Sequence, residues 1–221
     1  MLTILLTSYN RPRLLRKALD SLAAQTCPDW RCLILDDNSN EETHAVIREY
    51  LDDTRFTLIP HETTDEERQA SVRYSALINT VLPSLHEGVV GYLCDNVEYH
   101  PDLVGAVLDY FEHHPDIYAG YAVHERDVWK VDGSARLGSA SDFGHWDMTP
   151  QRPGREIAHP FGQLDHSQVF HRLPCPLHWP EEVEAKRFGD GVFYSALAER
   201  YGPIQPIAPQ VLTYEHLMEG V

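Results

Sequence analysis

The chain is poor in basic charge: 18 lysines and arginines stand against 34 aspartates and glutamates in 221 residues, a formal net charge of −16. Such a surface repels a phosphate backbone and offers nothing general to anionic lipid. Nucleic acid is therefore excluded as a partner, and any phosphate must be held locally. Cysteine is scarce as well. Cys27, Cys32, Cys94 and Cys175 have neither the density of a disulfide scaffold nor the paired spacing of a zinc site, and they read as reduced thiols. Long apolar runs are missing. Leu2 to Leu6 is shorter than a signal-peptide core, and nothing approaches the length of a membrane span, so the expectation is a cytoplasmic protein with no integral membrane segment. There is no G-x-S-x-G elbow for a nucleophilic hydrolase and no P-loop or G-x-G-x-x-G run to cradle phosphate. These absences favour a site built on acids and a divalent cation, which reverses the local electrostatics.

What is present has an ordinary globular balance, 43% hydrophobic and 24% charged, in a length that suits one α/β domain over 1–221. Leu2–Leu6 reads as a buried strand that delivers the polar loop Thr7-Ser8-Tyr9-Asn10-Arg11-Pro12 at its carboxyl end, and Leu14, Leu15, Ala18, Leu19 and Leu22 follow at helical spacing. Cys32–Leu35 is a second strand that stops at Asp36-Asp37-Asn38-Ser39, and Phe56–Ile59 a third, giving a β-α-β-α-β beginning. A single helix is expected over 66–82, and Val89–Cys94 is a strand ending at Asp95-Asn96. The expected fold is α/β, a doubly wound, mainly parallel sheet. A helix is expected from Pro101 through Phe111. Beyond it Ile117–His124 and Asp127–Val131 suggest strands of a smaller, more antiparallel region, and 132–160 a long surface loop.

Ligands of open parallel sheets bind at the carboxyl ends of the strands, where these polar loops lie. Asp36-Asp37 reads as turn and helix cap, or as a carboxylate accepting the imide N–H of uracil or thymine with Tyr9 stacked on the base. Asp95, Asn96 and Glu98 read as a solvated turn, or as hard oxygen ligands for Mg²⁺ or Mn²⁺. Arg68 and Arg73 could pair with phosphate or base, or line a solvated helix face with Glu66 and Glu67. Asp190, between Gly189 and Gly191, is a helix cap or a general base. Of the thirteen histidines, none is at zinc-motif spacing, and His166 is the one expected to face the crevice.

Taken together, T-S-Y-N-R-P at 7–12, L-D-D-N-S-N-E-E-T at 35–43, R-Y-S-A-L-I-N at 73–79, C-D-N-V-E-Y-H-P-D at 94–102, D-H-S-Q-V-F-H-R at 165–172 and F-G-D-G-V-F-Y at 188–194 resemble the inverting family 2 glycosyltransferases of GT-A fold. The spore-coat polysaccharide glycosyltransferases are the nearest likeness. The resemblance runs in order from residue 3 to about 200. It implies a GT-A fold with a nucleotide-sugar-binding half at 1–98 and an acceptor-side half at 99–221. It further implies transfer of a sugar from a UDP- or dTDP-sugar donor to a carbohydrate or other hydroxyl acceptor. The implied nucleotide-binding residues are Thr7, Tyr9, Asn10, Arg11, Asp37, Arg68, Arg73 and Asp95, with Asp190 as catalytic base and Asp95 and Asn96 as ligands of Mn²⁺ or Mg²⁺. Where the family usually has a second metal-binding aspartate this chain has Asn96, whose amide oxygen can bind a hard cation without adding charge. Two other readings remain at this point: a sugar nucleotidyltransferase, and a nucleotide-sugar-binding protein without catalysis.

Overall fold

A computed structural model describes residues 1–129, 136–139, 155–185 and 188–218. Strands β1 (Leu2–Ser8), β2 (Trp30–Asp36) and β3 (Phe56–Pro60) alternate with helices α1 (Pro12–Ala23) and α2 (Glu41–Arg48). After α3 (Asp65–Ala70) and α4 (Arg73–Val81) come β4 (Val89–Cys94), β5 (Val97–Tyr99) and α5 (Leu103–His113). The later chain supplies β6 (Ala119–Trp129), β7 (Arg136–Ser139), β8 (Val169–Arg172), α6 (Gly189–Tyr201) and β9 (Gln205–Met218). Among the described residues the strands form one sheet in the order β3-β2-β1-β4-β8-β6-β9-β5, with β7 on the flank of β6. The β3-β2-β1-β4 stretch is parallel. Beyond β4 the pairings are antiparallel except that of β6 with β9. This is the expected doubly wound α/β sheet with a mixed second half.

The apolar run of β1 is continuous because both sheet faces are covered. Leu2, Ile4 and Leu6 pack with Leu15, Leu19, Val104 and Phe111, from α1 and α5, on one face. Leu5 packs with Leu77, Ile78, Tyr92, Trp179 and Phe193 on the other, under α4 and α6. The strands therefore meet solvent only at their ends, and their carboxyl ends become the place for a site.

Two expectations change. The helix expected over 66–82 is two helices, because Ser71 is extended (φ −142°, ψ 163°) and Val72 N–H donates to the Glu181 carbonyl at 2.9 Å. The break turns α4 independently of α3. The two strands expected around 117–131 are one, β6, whose register shifts near Tyr121, Val123 and His124 absorb the interruption. The surface loop expected at 132–160 falls largely outside the described residues, although Ile157 forms a bridge with Ile204. The carboxyl-terminal strand β9 was not expected.

Gly91 of β4 lies opposite Phe170 of β8, so close that a methyl group there would stand 2.5 Å from the buried ring. Gly91→Ala is expected to lower stability by about 1–3 kcal/mol through overpacking. The measurement is the urea midpoint at unchanged m-value; an unshifted midpoint would show that the ring moves aside freely.

Candidate functional site

The loop after β1 and the loop after β2 are tied to each other. Asn10, at φ 52°, donates its N–H to Ser39 Oγ (3.1 Å) and accepts the Asn40 N–H on its side chain (2.7 Å). Asn40 in turn caps α2 through Thr43 N–H at 3.0 Å, so the cap is Asn40 and not Asp36 or Asp37. Buried Asp36 accepts from Ser39 N–H (3.0 Å) and His44 Nε2 (2.9 Å), holding the turn closed. Asn10 thus acts as a brace between loops and does not line the cleft beside them.

That cleft, about 230 Å³, is lined by Thr7, Tyr9, Arg11, Asp37, Asp95 and Asn96, with Arg73 and Tyr74 on the α4 side. Asp37 is buried, and its carboxylate is gripped from several sides. Arg68 Nη1 pairs with Oδ2, while Arg73 Nε (3.1 Å), Arg73 Nη2 (2.9 Å) and Thr63 Oγ1 (2.6 Å) all donate to Oδ1. The solvated helix face is therefore not where Arg68 and Arg73 lie: the break at Ser71-Val72 brings both onto Asp37. Arg68 also lies over the Tyr9 ring, 3.9 Å from its centroid, while 40% of Tyr9 stays exposed. Each carboxylate oxygen offers about two acceptor positions; three donors crowd Oδ1, whereas among the described residues Oδ2 has Arg68 alone, so one position on Oδ2 remains.

At the other end of the cleft, buried Asp95 accepts from Tyr9 N–H (3.4 Å) and from Arg11 Nη1 (3.3 Å). Burial pushes its carboxyl up to about 6, with Arg11 opposing. Asn96 Nδ2 donates to Glu215 Oε1 (3.3 Å) and to the His216 carbonyl (3.4 Å), which leaves Oδ1 without a protein donor among the described residues. A buried carboxylate paired only loosely with the exposed Arg11, and an amide oxygen with no protein donor among the described residues, are a donor set on one cleft wall that fits a hard divalent cation, with phosphate or water as further ligands. Glu98 does not join them. It pairs with His216 and lies 4.0 Å from Lys17 Nζ on the β5–β9 side of the sheet.

Behind Asn96 is a charged cluster that was not legible in the sequence. Arg126 pairs with Asp165 (2.6 Å) and Glu215 (2.5 Å), and His124 hydrogen-bonds Glu215 (3.3 Å) and Thr213 (2.8 Å). Burial raises Glu215, but the His124 hydrogen bond and the Arg126 charge outweigh it and hold the carboxyl at about 2. Burial and the neighbouring Glu215 raise Asp165. The ligand atoms of His124, Asp165 and Glu215 lie within 4.8 Å of one another. Arg126 already supplies their counter-charge. The only sequence signal was the polar alternation in Leu212-Thr213-Tyr214-Glu215-His216, which is weak because four of its five residues are buried.

Asp190 lies in the first turn of α6, behind Phe188 as the capping residue. Burial, then the charge of Asp165, push its carboxyl up to about 7. Asp190 is not part of the cleft lining but is linked to it by Tyr74: a Cβ on Gly189 would meet the Tyr74 hydroxyl at 2.4 Å. His166, expected to face the crevice, is instead buried behind Tyr74 with rings 4.9 Å apart, in an aromatic cluster with Tyr92 and Trp179. Burial drops it to about 3, so it stays neutral. The four cysteines are all free, and among the described residues no helix is long and apolar enough to cross a membrane.

With this geometry, the chain belongs to glycosyl transferase family 2, whose model matches residues 3–155. Protein CgeD of Bacillus subtilis (strain 168) is 31% identical over 213 residues, covering 93% of this chain and 47% of CgeD, so the chain spans about half the length of that relative. The fold is also that of S. aureus TarS, at TM-score 0.67 and 14% identity over 98% of this chain and 36% of TarS. It is shared with the mannosyltransferase PcManGT of Pyrobaculum calidifontis, solved with GDP-Man and Mn²⁺, at TM-score 0.61 and 14% identity over 97% of this chain and 56% of that one.

The raised Asp190 gives a pH signature. An acid whose folded pKa exceeds its unfolded value of about 4 loses stability as pH climbs through that window, because the folded state resists ionisation. Asp190→Asn is therefore expected to melt close to wild type at pH 4 and progressively above it by pH 8. A difference in melting temperature that does not vary with pH would contradict the placement of Asp190.

Proposed function

We propose that this chain is the donor-binding and catalytic part of an inverting glycosyltransferase that moves a sugar from a UDP- or dTDP-sugar to an acceptor hydroxyl, in polysaccharide or glycoconjugate synthesis in the cytoplasm. The observation that carries this reading is Asp37, held rigid by Arg73 and Thr63 and left with one acceptor position beside the exposed Tyr9 ring. A uracil or thymine imide N–H suits that position, and the base ring suits Tyr9 once the Arg68 guanidinium yields part of the face. The diphosphate would then run toward Arg11, Asp95 and Asn96. S. aureus TarS of the same fold was solved in complex with UDP-GlcNAc, which supports the donor class. Residues 1–98 would hold the donor and 99–221 the acceptor side.

In the reaction, Asp190 takes the proton of the acceptor hydroxyl as that oxygen forms its bond to the anomeric carbon, and the bond from that carbon to the diphosphate breaks with inversion. A proton affinity near 7 suits a general base working near neutrality. Asp95 and Asn96 Oδ1 would hold a Mn²⁺ or Mg²⁺ ion, which when bound would neutralise the leaving diphosphate. Asn96 in place of a carboxylate favours a second reading, a nucleotide-sugar-binding protein without turnover, since the site carries one charge less for a cation.

The test is release of nucleoside diphosphate from a panel of UDP- and dTDP-sugars with Mn²⁺ and glycoside acceptors. Wild type is expected to turn over, with kcat/KM falling as pH drops through about 7 and Asp190 takes up its proton. Asp190→Asn should slow release by at least about a hundredfold while still binding the donor. Wild-type turnover by Asp190→Asn would remove Asp190 as the base. Donor binding with no release by wild type would establish the second reading.

A further inference from the structure

The surface beside Asp190 is apolar. Phe188, which caps α6, and Phe161 are each 51% exposed, and their rings stack with centroids 5.5 Å apart and planes inclined by 28°. Val192, one turn along α6 from Phe188, is exposed on the same stretch. This arrangement is built. A tight turn closed by Gln163 N–H on the Pro160 carbonyl (2.9 Å) presents Phe161 at its tip, with Gly162 at φ +69° supplying the left-handed residue such a turn needs. Gln163 Nε2 donates to the His159 carbonyl at 2.6 Å and braces the turn from behind. The Phe161 ring then rests on Gly191, where a Cβ would stand 3.0 Å from Cδ2, so the missing side chain at 191 is what lets the ring lie flat against the residue that follows the base.

Leaving two phenylalanines in water forgoes part of the roughly 1.5–3 kcal/mol that burying each would contribute. A contiguous exposed apolar strip of this kind marks a binding surface. Its neighbour fixes the chemistry of the occupant. Whatever lies on the rings must present a hydroxyl to Asp190, and it must also offer a flat, apolar face. A pyranose ring has both, because its axial C–H bonds form such a face while its hydroxyls radiate from the rim. An open-chain polyol has the hydroxyls without the face, and a serine or threonine hydroxyl comes without a ring of its own.

We propose that Phe161 and Phe188 form the acceptor subsite, stacking on the C–H face of a pyranose ring so that one of its hydroxyls meets Asp190. The proposal rests on the glycosyl-transfer reading above and adds to it the class of acceptor, a ring sugar. Phe161 and Phe188 bind and orient; the proton goes to Asp190 as already described.

Saturation-transfer NMR with methyl β-D-glucopyranoside, methyl β-D-galactopyranoside and sorbitol as probes, in the presence of UDP and Mn²⁺, tests it. The pyranosides are expected to draw saturation onto their ring C–H protons and sorbitol to draw none. Phe161→Ala/Phe188→Ala should weaken the pyranoside signal at least fivefold, and Phe161→Tyr/Phe188→Tyr should restore it. UDP titration of the same samples reports folding and the donor site separately. No pyranoside signal, a signal that survives the double alanine variant, or sorbitol binding as well as the pyranosides would overturn the subsite. So would self-association in sedimentation that the double alanine variant abolishes, since the rings would then be a contact between copies of the chain. If UDP binds none of the proteins, the donor reading fails by itself; if UDP binds and the pyranoside signal ignores the phenylalanines, only the acceptor subsite falls.

Discussion

Because β1 pairs in parallel with β2 on one side and β4 on the other, Ser8 lies level with Asp36 and Thr7 level with Cys94. That shared register brings three polar loops to one edge of the sheet, where they form one wall of the cleft. The Asp37 N–H continues the ladder onto the Ser8 carbonyl at 3.0 Å, and the Tyr9 N–H reaches Asp95, so the loops are extensions of the strands rather than free segments. A slip of one residue would turn Asp37 and Asp95 away from each other and bury their neighbours instead.

The site also resolves an electrostatic conflict. A chain of net charge −16 repels anions in general, yet Arg68 and Arg73 converge on Asp37 at one end of the cleft and Arg11 meets Asp95 at the other. Asp37 is what gathers two of them, and its own charge is spent in doing so. On the far side of Asn96, Arg126 does the reverse, one cation serving Asp165 and Glu215. Burial raises the Asp190 carboxyl, and the nearby charge of Asp165 adds to it. Desolvation first and a neighbouring acid second thus raise the proton affinity of the proposed base.

Strands β1 to β4 were legible because each is a compact apolar run that stops at a polar turn, a pattern that local sequence alone creates. Asp37, Asp95 and Tyr9 could be placed at one edge on that basis. What was not legible depends on partners far along the chain. The break before Arg73 exists because Val72 bonds to the carbonyl of Glu181, so a helix that looks continuous in sequence is divided by tertiary structure. Glu215 and His124 look like solvent-facing polar residues until β9 pairs with β6 and encloses them around Arg126. His166 failed for the converse reason: it sits next to an acid in sequence, but Tyr74, Tyr92 and Trp179 close over it.

If Asp37 reads the imide of a pyrimidine base, comparing UDP with CDP isolates that contact, since cytosine carries no imide N–H and matches uracil in size. Calorimetric titration of each into wild type and into Asp37→Asn is the direct measurement. UDP is expected to bind wild type at least about tenfold more tightly than CDP, the scale of one hydrogen bond to a charged group, and Asp37→Asn to remove most of the difference. Equal affinities in wild type, or a preference for UDP that Asp37→Asn leaves intact, would contradict that reading of Asp37.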